Sequence, residues 1–365
     1  MTSILIISPS LGHGGAERQL TELVKGLLGR GHHVEVLITQ LVEGGYYEQI
    51  AAMGVKIHLI ERRSKYDLSV ILRVRQLIQS AEFDVIHPFL GMGSLIAVIA
   101  GLGLKVPIVA SAIRDAKVPD IKIKVMSHVV ARLADIVVSN SEAGFKSRFK
   151  RHGKNFRVIY NGVDFSRFKE SPDDIARIRK ELDLGRFEQL IGMVASLSDN
   201  KDHEALLRSF KVLKASRKGL GLIIVGGGPN RDKLERLAKE LGVASDTVFT
   251  GHRSDVDQIY RCMDLVVLLT NSKKHAEGVP NALLEAMAVG VPVVGTRGGG
   301  TEELVTDGVN GKIIEPGSVS AAVDAILSTL DNYDPEMIER ARESVRSRFS
   351  INTYIDEYIN LYKSV

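Results

Sequence analysis

The sequence predicts an α/β protein made of two Rossmann-like, doubly wound parallel-sheet halves. Three observations predict it. Short β-branched runs alternate with amphipathic stretches along the chain, the runs are apolar almost throughout, and the series restarts after residue 185. A strand that is apolar on both faces is covered on both faces, as in a parallel sheet between two helical layers. At 365 residues the chain is also long for one domain.

In chain order, SILIIS, HVEVLI, VKIHLI, DVIH, PIVAS and DIVVS read as strands of the first half. The stretch ERQLTELVKGLLGRG between the first two has apolar residues at helical spacing and a Gly stop. The uncharged stretch from Phe89 to Leu104 falls short of the roughly 20 residues that span a bilayer. It contains four glycines and reads as a buried helix. LIGMVAS, GLIIVG, TVFTG, LVVLL, VPVVGT and GKIIE are strands of the second half. The boundary falls between YNGVD (160–164) and the polar stretch ESPDDIARIRKELDLG. The last helix, INTYIDEYINLYKSV, follows the final strand, and its pattern leaves open which half it covers.

Composition narrows the functional classes. A hydrophobic content of 44% with 25% charged residues fits a folded chain, not a disordered one. Cys262 stands alone, which excludes an intramolecular disulfide and a thiolate metal cluster and suits a reducing, cytoplasmic setting. The opening MTSILIISPS has no basic residue before its apolar run, unlike a signal peptide. Residues 1–165 carry 21 Lys/Arg against 14 Asp/Glu, a balance of +7 within a total of +4. That asymmetry suits an anionic ligand or an anionic membrane surface, and a solvated Lys-rich face accounts for it equally.

The most specific segment is HAEGVPNALLEAMAVGVPVVGT, residues 275–296. Glu277 and Glu285 stand eight apart, with Gly278 and Pro280 ending a loop and Asn281 opening a buried helix. Pro costs little near a helix start, where that N–H lacks a partner anyway. The backbone of Gly278, Val279, Pro280, Asn281, Ala282 and Leu283 then forms an anion site aided by the helix dipole. Carboxylates beside such a site suit sugar or ribose hydroxyls, each charged hydrogen bond contributing about 1.5–3 kcal/mol. A capped core helix with one buried Glu is the plainer alternative.

This segment resembles the signature of the retaining glycosyltransferase family 4, whose members have the two-domain GT-B fold. The resemblance extends along the chain through GGAERQL, VIYNGVD, VGGGPNRDKLERLAKELG, VFTGHRSDV and GGGTEELVTDGVNGKIIEPG. It implies an N-terminal acceptor domain of residues 1–165 plus 350–365, with the last helix crossing back, and a donor domain of 166–349, facing each other across a cleft. It implies that Glu285 holds the nucleotide ribose and that Glu277 contacts the donor sugar near the reacting carbon. Amides after Gly278 take the diphosphate, with Lys201 supplying positive charge. His252 and Arg253 meet the base through backbone groups, and Gly14 and Gly15 open a helix facing the transferred group. His13 and His275 lie on loops expected at the cleft, and His87, at the end of strand DVIH, either borders the cleft or has a surface or packing role.

The implied reaction moves a hexose-type sugar from a nucleotide diphosphate donor, UDP by the family's commonest habit, to a lipid-linked, polysaccharide or other envelope acceptor. Configuration is retained by front-face attack. No cofactor, metal or nucleic acid is expected. Asp255 and Asp257 form the only Asp-x-Asp, and helix capping accounts for them. Two departures stand out: Ser196 replaces the family's usual Arg before the lysine, and Arg114, a candidate catalytic residue, stands where many members carry His and so alters contact with the sugar or acceptor. Lys274, in the loop before Glu277, is a candidate to supply the missing charge. A nucleotide-sugar 2-epimerase and a non-catalytic glycan- or nucleotide-binding relative are the alternative readings.

Overall fold

The computed structural model describes every residue except 43, 65, 66, 118 and 119. Its backbone divides into two compact units, residues 1–162 with 351–365, and residues 163–350.

The first unit holds strands β1 (Ser3–Ser8), β2 (His33–Ile38), β3 (Lys56–Leu59), β4 (Val85–Pro88), β5 (Val109–Ile113), β6 (Ile136–Ser139) and β7 (Phe156–Val158). All their pairings are parallel, in the orders β3-β2-β1-β4 and β5-β6-β7. Parallel bridges Ile86–Ile108 and Phe89–Ser111 tie β4 to β5 and make one continuous sheet. The apolar strands supply two cores. Ile4, Ile6, Val34 and Val36 point to one face, under the helices Gly15–Gly29 and Ile351–Lys363. Leu5, Ile7, Leu37 and Ile86 point to the other, under the helices Ser69–Ser80 and Gly91–Ala100. A period of two buried on both sides is the double winding the sequence predicts. Strand β7 is absent from the sequence reading because its three residues, with Arg157 in the middle, carry too little pattern.

The helix Ile351–Lys363 crosses back onto the first unit, where Tyr354, Ile355, Tyr358 and Ile359 join the first core. Its approach is close: a Cβ on Gly26 would lie 2.0 Å from Ile355 Cδ1, so any larger residue there displaces the Ile355 side chain.

The second unit holds β8 (Gln189–Val194), β9 (Leu220–Val225), β10 (Thr247–Gly251), β11 (Leu265–Leu268), β12 (Val293–Thr296) and β13 (Lys312–Ile314). They form one parallel sheet of order β10-β9-β8-β11-β12-β13. The order reverses between β8 and β11, and ligands of such sheets bind outside the carboxyl ends of the strands at that point. The loops carrying Lys201 and Glu277 leave β8 and β11 there.

Candidate active site

Glu277 is buried and is the centre of a charged cluster in the second unit. An antiparallel bridge between Lys201 and Thr270, with Asp202 N–H donating to Leu269 O at 2.9 Å, lays the post-β8 loop across the end of β11. The Lys201 ammonium thereby meets Glu277 Oε1. Thr270 Oγ1 donates to the same oxygen at 2.9 Å, and His275 Nε2 lies 3.5 Å from Oε2. Burial on its own would raise the Glu277 pKa, but the Lys201 charge and the His275 contact overcome it and hold the carboxyl down at about 2. Glu277 is therefore an anion at any physiological pH. His203, buried one residue past Asp202, is pushed down to about 4 by burial and then by Lys201, and stays neutral.

The backbone after Glu277 is presented as the sequence predicts, with one correction. Gly300 N–H donates to Glu277 O at 2.8 Å and fastens the turn. The helix Asn281–Val289 has no acidic residue in its first turn and no side-chain cap bond, so no carboxylate of that turn opposes an anion at its positive end. Pro280 is the N-cap residue, outside the first turn; it has no N–H and supplies only its carbonyl, which accepts from Leu284 N at 3.1 Å. Gly278 and Val279 are buried in the turn, and Asn281, Ala282 and Leu283 form the first turn itself.

Glu285 is buried on the next turn, receives Tyr260 Oη at 3.3 Å and lies 4.0 Å from Arg167 Nη1. Thr270, Tyr260 and Arg167 escaped the sequence reading because no local spacing links them to the glutamates; the strand order alone brings them there.

The other donor-side residues divide. Ser196 is exposed, its Oγ 3.1 Å from Ser198 Oγ. His252 is exposed, and its ring covers Gly227. The Arg253 guanidinium is committed within the protein, bonded to Asp255 at 2.7 and 2.8 Å and to Glu181 at 2.5 Å. Asp255 stands at the N-cap position of the helix Val256–Tyr260 yet makes no side-chain cap bond, a correction to the capping assignment. Arg253 has drawn the carboxylate away, because a bidentate charged pair is stronger than a neutral cap. Asp257 pairs with Arg167 at 3.2 Å. Lys274 stands outside the Glu277 cluster: its exposed ammonium lies 3.3 Å from Asp199.

In the first unit, Gly14 is the N-cap of the helix Gly15–Gly29. The amides there meet a carboxylate of the chain's own. Glu17, three residues on, folds back so closely that a Cβ on Gly14 would lie 2.2 Å from its Oε2. The Glu17 pKa is raised, by burial first, against the pull of its backbone bond, Arg114 and His13. The signal was present in GGAE, since a Glu at the third helical position is placed to reach back to the helix start. Arg114 follows β5, with Nη1 donating to Asn161 Oδ1 at 3.1 Å and its guanidinium 4.8 Å from the Phe89 ring. His87 lies entirely within the protein, not at a rim.

Known proteins share the sequence pattern and the fold of this chain. The model of Glycosyltransferase Family 4 matches residues 13–167, and that of Glycosyl transferases group 1 matches residues 174–348, so together they span nearly the whole chain. The chain belongs to glycosyltransferase family 4 and is a glycosyltransferase of GT-B fold. Among curated relatives, N-acetyl-alpha-D-glucosaminyl L-malate synthase of Bacillus anthracis is 25% identical, over 98% of this chain and 95% of its own. The GDP-mannose-dependent alpha-(1-6)-phosphatidylinositol monomannoside mannosyltransferase of Mycobacterium tuberculosis is 26% identical, over 92% and 90%. Among solved structures, Anabaena HepE in complex with UDP-glucose superposes with a TM-score of 0.87 at 22% identity, covering all of both chains.

Proposed function

We propose that this glycosyltransferase is retaining and metal-independent, and moves a hexose from a UDP-sugar to a lipid-linked or other envelope glycan acceptor. The observation that carries the reading is the Glu277 cluster: an ionised carboxylate and a lysine ammonium beside a helix start with no acidic residue in its first turn, with a second buried carboxylate one turn on. The helix start and Lys201 suit a departing diphosphate, whose growing negative charge preorganised donors stabilise. Glu277 suits the hydroxyls and the positive character of the reacting sugar, and Glu285 a ribose diol.

In the step proposed, the bond from the anomeric carbon to the phosphate oxygen breaks. The acceptor oxygen bonds that carbon from the same face, and the acceptor proton passes to the departing phosphate. Lys201 provides the cation that a metal provides in other transferases, and Asp255 and Asp257 each serve a guanidinium. The base is drawn from the UDP-glucose complex of HepE, while the mycobacterial relative is named for GDP-mannose.

On the acceptor side, the helix Ile121–Leu133 exposes Ile121, Ile123 and Val125, interleaved with Lys122 and Lys124. A basic, apolar tip of this kind suits an anionic membrane, and hence a lipid-linked acceptor held at its surface. Among the described residues no helix is long and apolar enough to cross a membrane.

The deciding experiment is thermal-shift screening against UDP-, GDP- and ADP-sugars, followed by NMR of the product's anomeric configuration. A ligand at 100 times its Kd adds about 2.7 kcal/mol. Stabilisation by UDP-sugars and a retained configuration are expected. Response to GDP-sugars alone corrects the base, inversion removes the retaining assignment, and indifference to every nucleotide sugar sinks the reading.

A further inference from the structure

A file of polar groups runs between the C-terminal helix and the sheet of the first unit. Tyr362 Oη lies 2.5 Å from His87 Nδ1, and His87 Nε2 lies 2.7 Å from Ser111 Oγ. Ser111 Oγ lies 2.7 Å from Tyr358 Oη, to which Arg114 Nη2 donates at 3.4 Å. All four side chains from Tyr362 to Tyr358 are buried. Among the described residues no carboxylate lies in salt-bridge contact with Arg114, although Glu17 feels its charge; hydroxyl and amide oxygens bond it instead.

The arginine can only donate, and its charge turns nearby hydroxyl dipoles with oxygen toward it and hydrogen away. Tyr358 then accepts from Arg114 and donates to Ser111, Ser111 donates to His87 Nε2, and His87 Nδ1–H donates to Tyr362. This order requires neutral His87 in its Nδ1–H form. Burial, with Arg114 adding to it, holds the His87 pKa well below its ordinary value.

We propose that Tyr358 is a positioning residue for the transfer reaction: its hydroxyl, set by this relay, holds the Arg114 guanidinium at the carboxyl edge of the sheet. The C-terminal helix thereby acts on the chemistry through Arg114. The proposal rests on the transferase reading, in which Arg114 serves the acceptor side.

The test is a double-mutant cycle of Tyr358→Phe and Arg114→Gln, with kinetics under saturating donor and thermal melting of each variant. Tyr358→Phe alone is expected to lower kcat about tenfold, the scale of one lost hydrogen bond, and to leave the donor KM unchanged. In the Arg114→Gln background it adds little further loss of rate, although its effect on melting persists. Equal fold-losses of rate in both backgrounds, or wild-type kcat in Tyr358→Phe, overturn the proposal. A second arm needs no activity: long-range ¹H–¹⁵N NMR of the wild type is expected to show His87 protonated at Nδ1. Protonation at Nε2 overturns the relay. A wild type that transfers no sugar fails the transferase reading and the positioning role together, and the NMR arm still decides the relay.

Discussion

Lys201 and Glu277 form a partly buried ion pair across the ends of two adjacent strands. The residues assigned to the leaving phosphate and to the sugar are therefore one electrostatic unit, and altering either changes the other's surroundings.

The pair has a pH signature. The folded Glu277 pKa lies at about 2 against an ordinary 4.5, so folding favours the ionised form. Its stabilisation is fully present above about pH 4.5 and is lost as pH falls through the folded value. Glu277→Gln is expected to lower stability at pH 7 by roughly 1–3 kcal/mol, since Lys201 loses its charged partner. Denaturant titrations at pH 7 and pH 3 should show the gap to wild type narrowing at the lower pH; a gap that widens contradicts the pairing.

Glu285→Gln is expected to raise the donor KM with a small change in kcat, and Glu277→Gln to lower kcat mainly. Initial-rate kinetics over a donor series separates the two. Near-wild-type behaviour of both variants removes the functional reading of this pair.

Ser196→Arg is expected to raise turnover, because it restores the arginine that the family usually carries before the lysine assigned here to the departing phosphate. Lys274 was the candidate substitute, and its contact with Asp199 predicts little effect from Lys274→Ala. If Lys274→Ala lowers kcat by about 10²–10³, the scale of one lost oxyanion donor, and Ser196→Arg restores it, the lysine does supply the missing charge.

Chelation is expected to leave turnover unchanged, since Asp255 and Asp257 are engaged by Arg253 and Arg167. A strict Mg²⁺ or Mn²⁺ requirement in dialysed enzyme would show that these ion pairs open to admit a metal.

Replacing Ile121, Ile123 and Val125 together with Ser is expected to abolish co-sedimentation with anionic liposomes while leaving the melting temperature intact, because all three are exposed. Part of the basic stretch FKSRFKRHGKNFR (145–157) is committed within the fold and contributes less to docking than its composition suggests. Arg148 is buried against Asp115, and Phe145 stacks on Phe156 at 4.6 Å. Binding indifferent to anionic lipid and to salt refutes membrane docking altogether.

The fold was legible because apolar strands and glycine-stopped helices are local patterns, and each strand read from the sequence recurs in the structure. Glu277 and Glu285 were legible because their frame is one continuous segment. What escaped depends on which partner each side chain takes, which spacing along the chain does not decide. Asp255 reads as a cap until Arg253 and Glu181 are placed around it. Glu17 looks like an ordinary first-turn acid until its carboxylate is seen over Gly14. The partners of Arg114 come from residue 161 and from the last helix, beyond any window.

The return of the helix Ile351–Lys363 to the first unit also sets an order of assembly. During synthesis, residues 1–162 emerge without Tyr354, Tyr358 and Tyr362, which complete their core. The intervening 163–350 segment takes roughly 10–40 s to translate at about 5–20 residues/s. The second unit is contiguous and can close first. The earlier-made unit waits with an open apolar face over Gly26, the stage at which this chain is most in need of a chaperone.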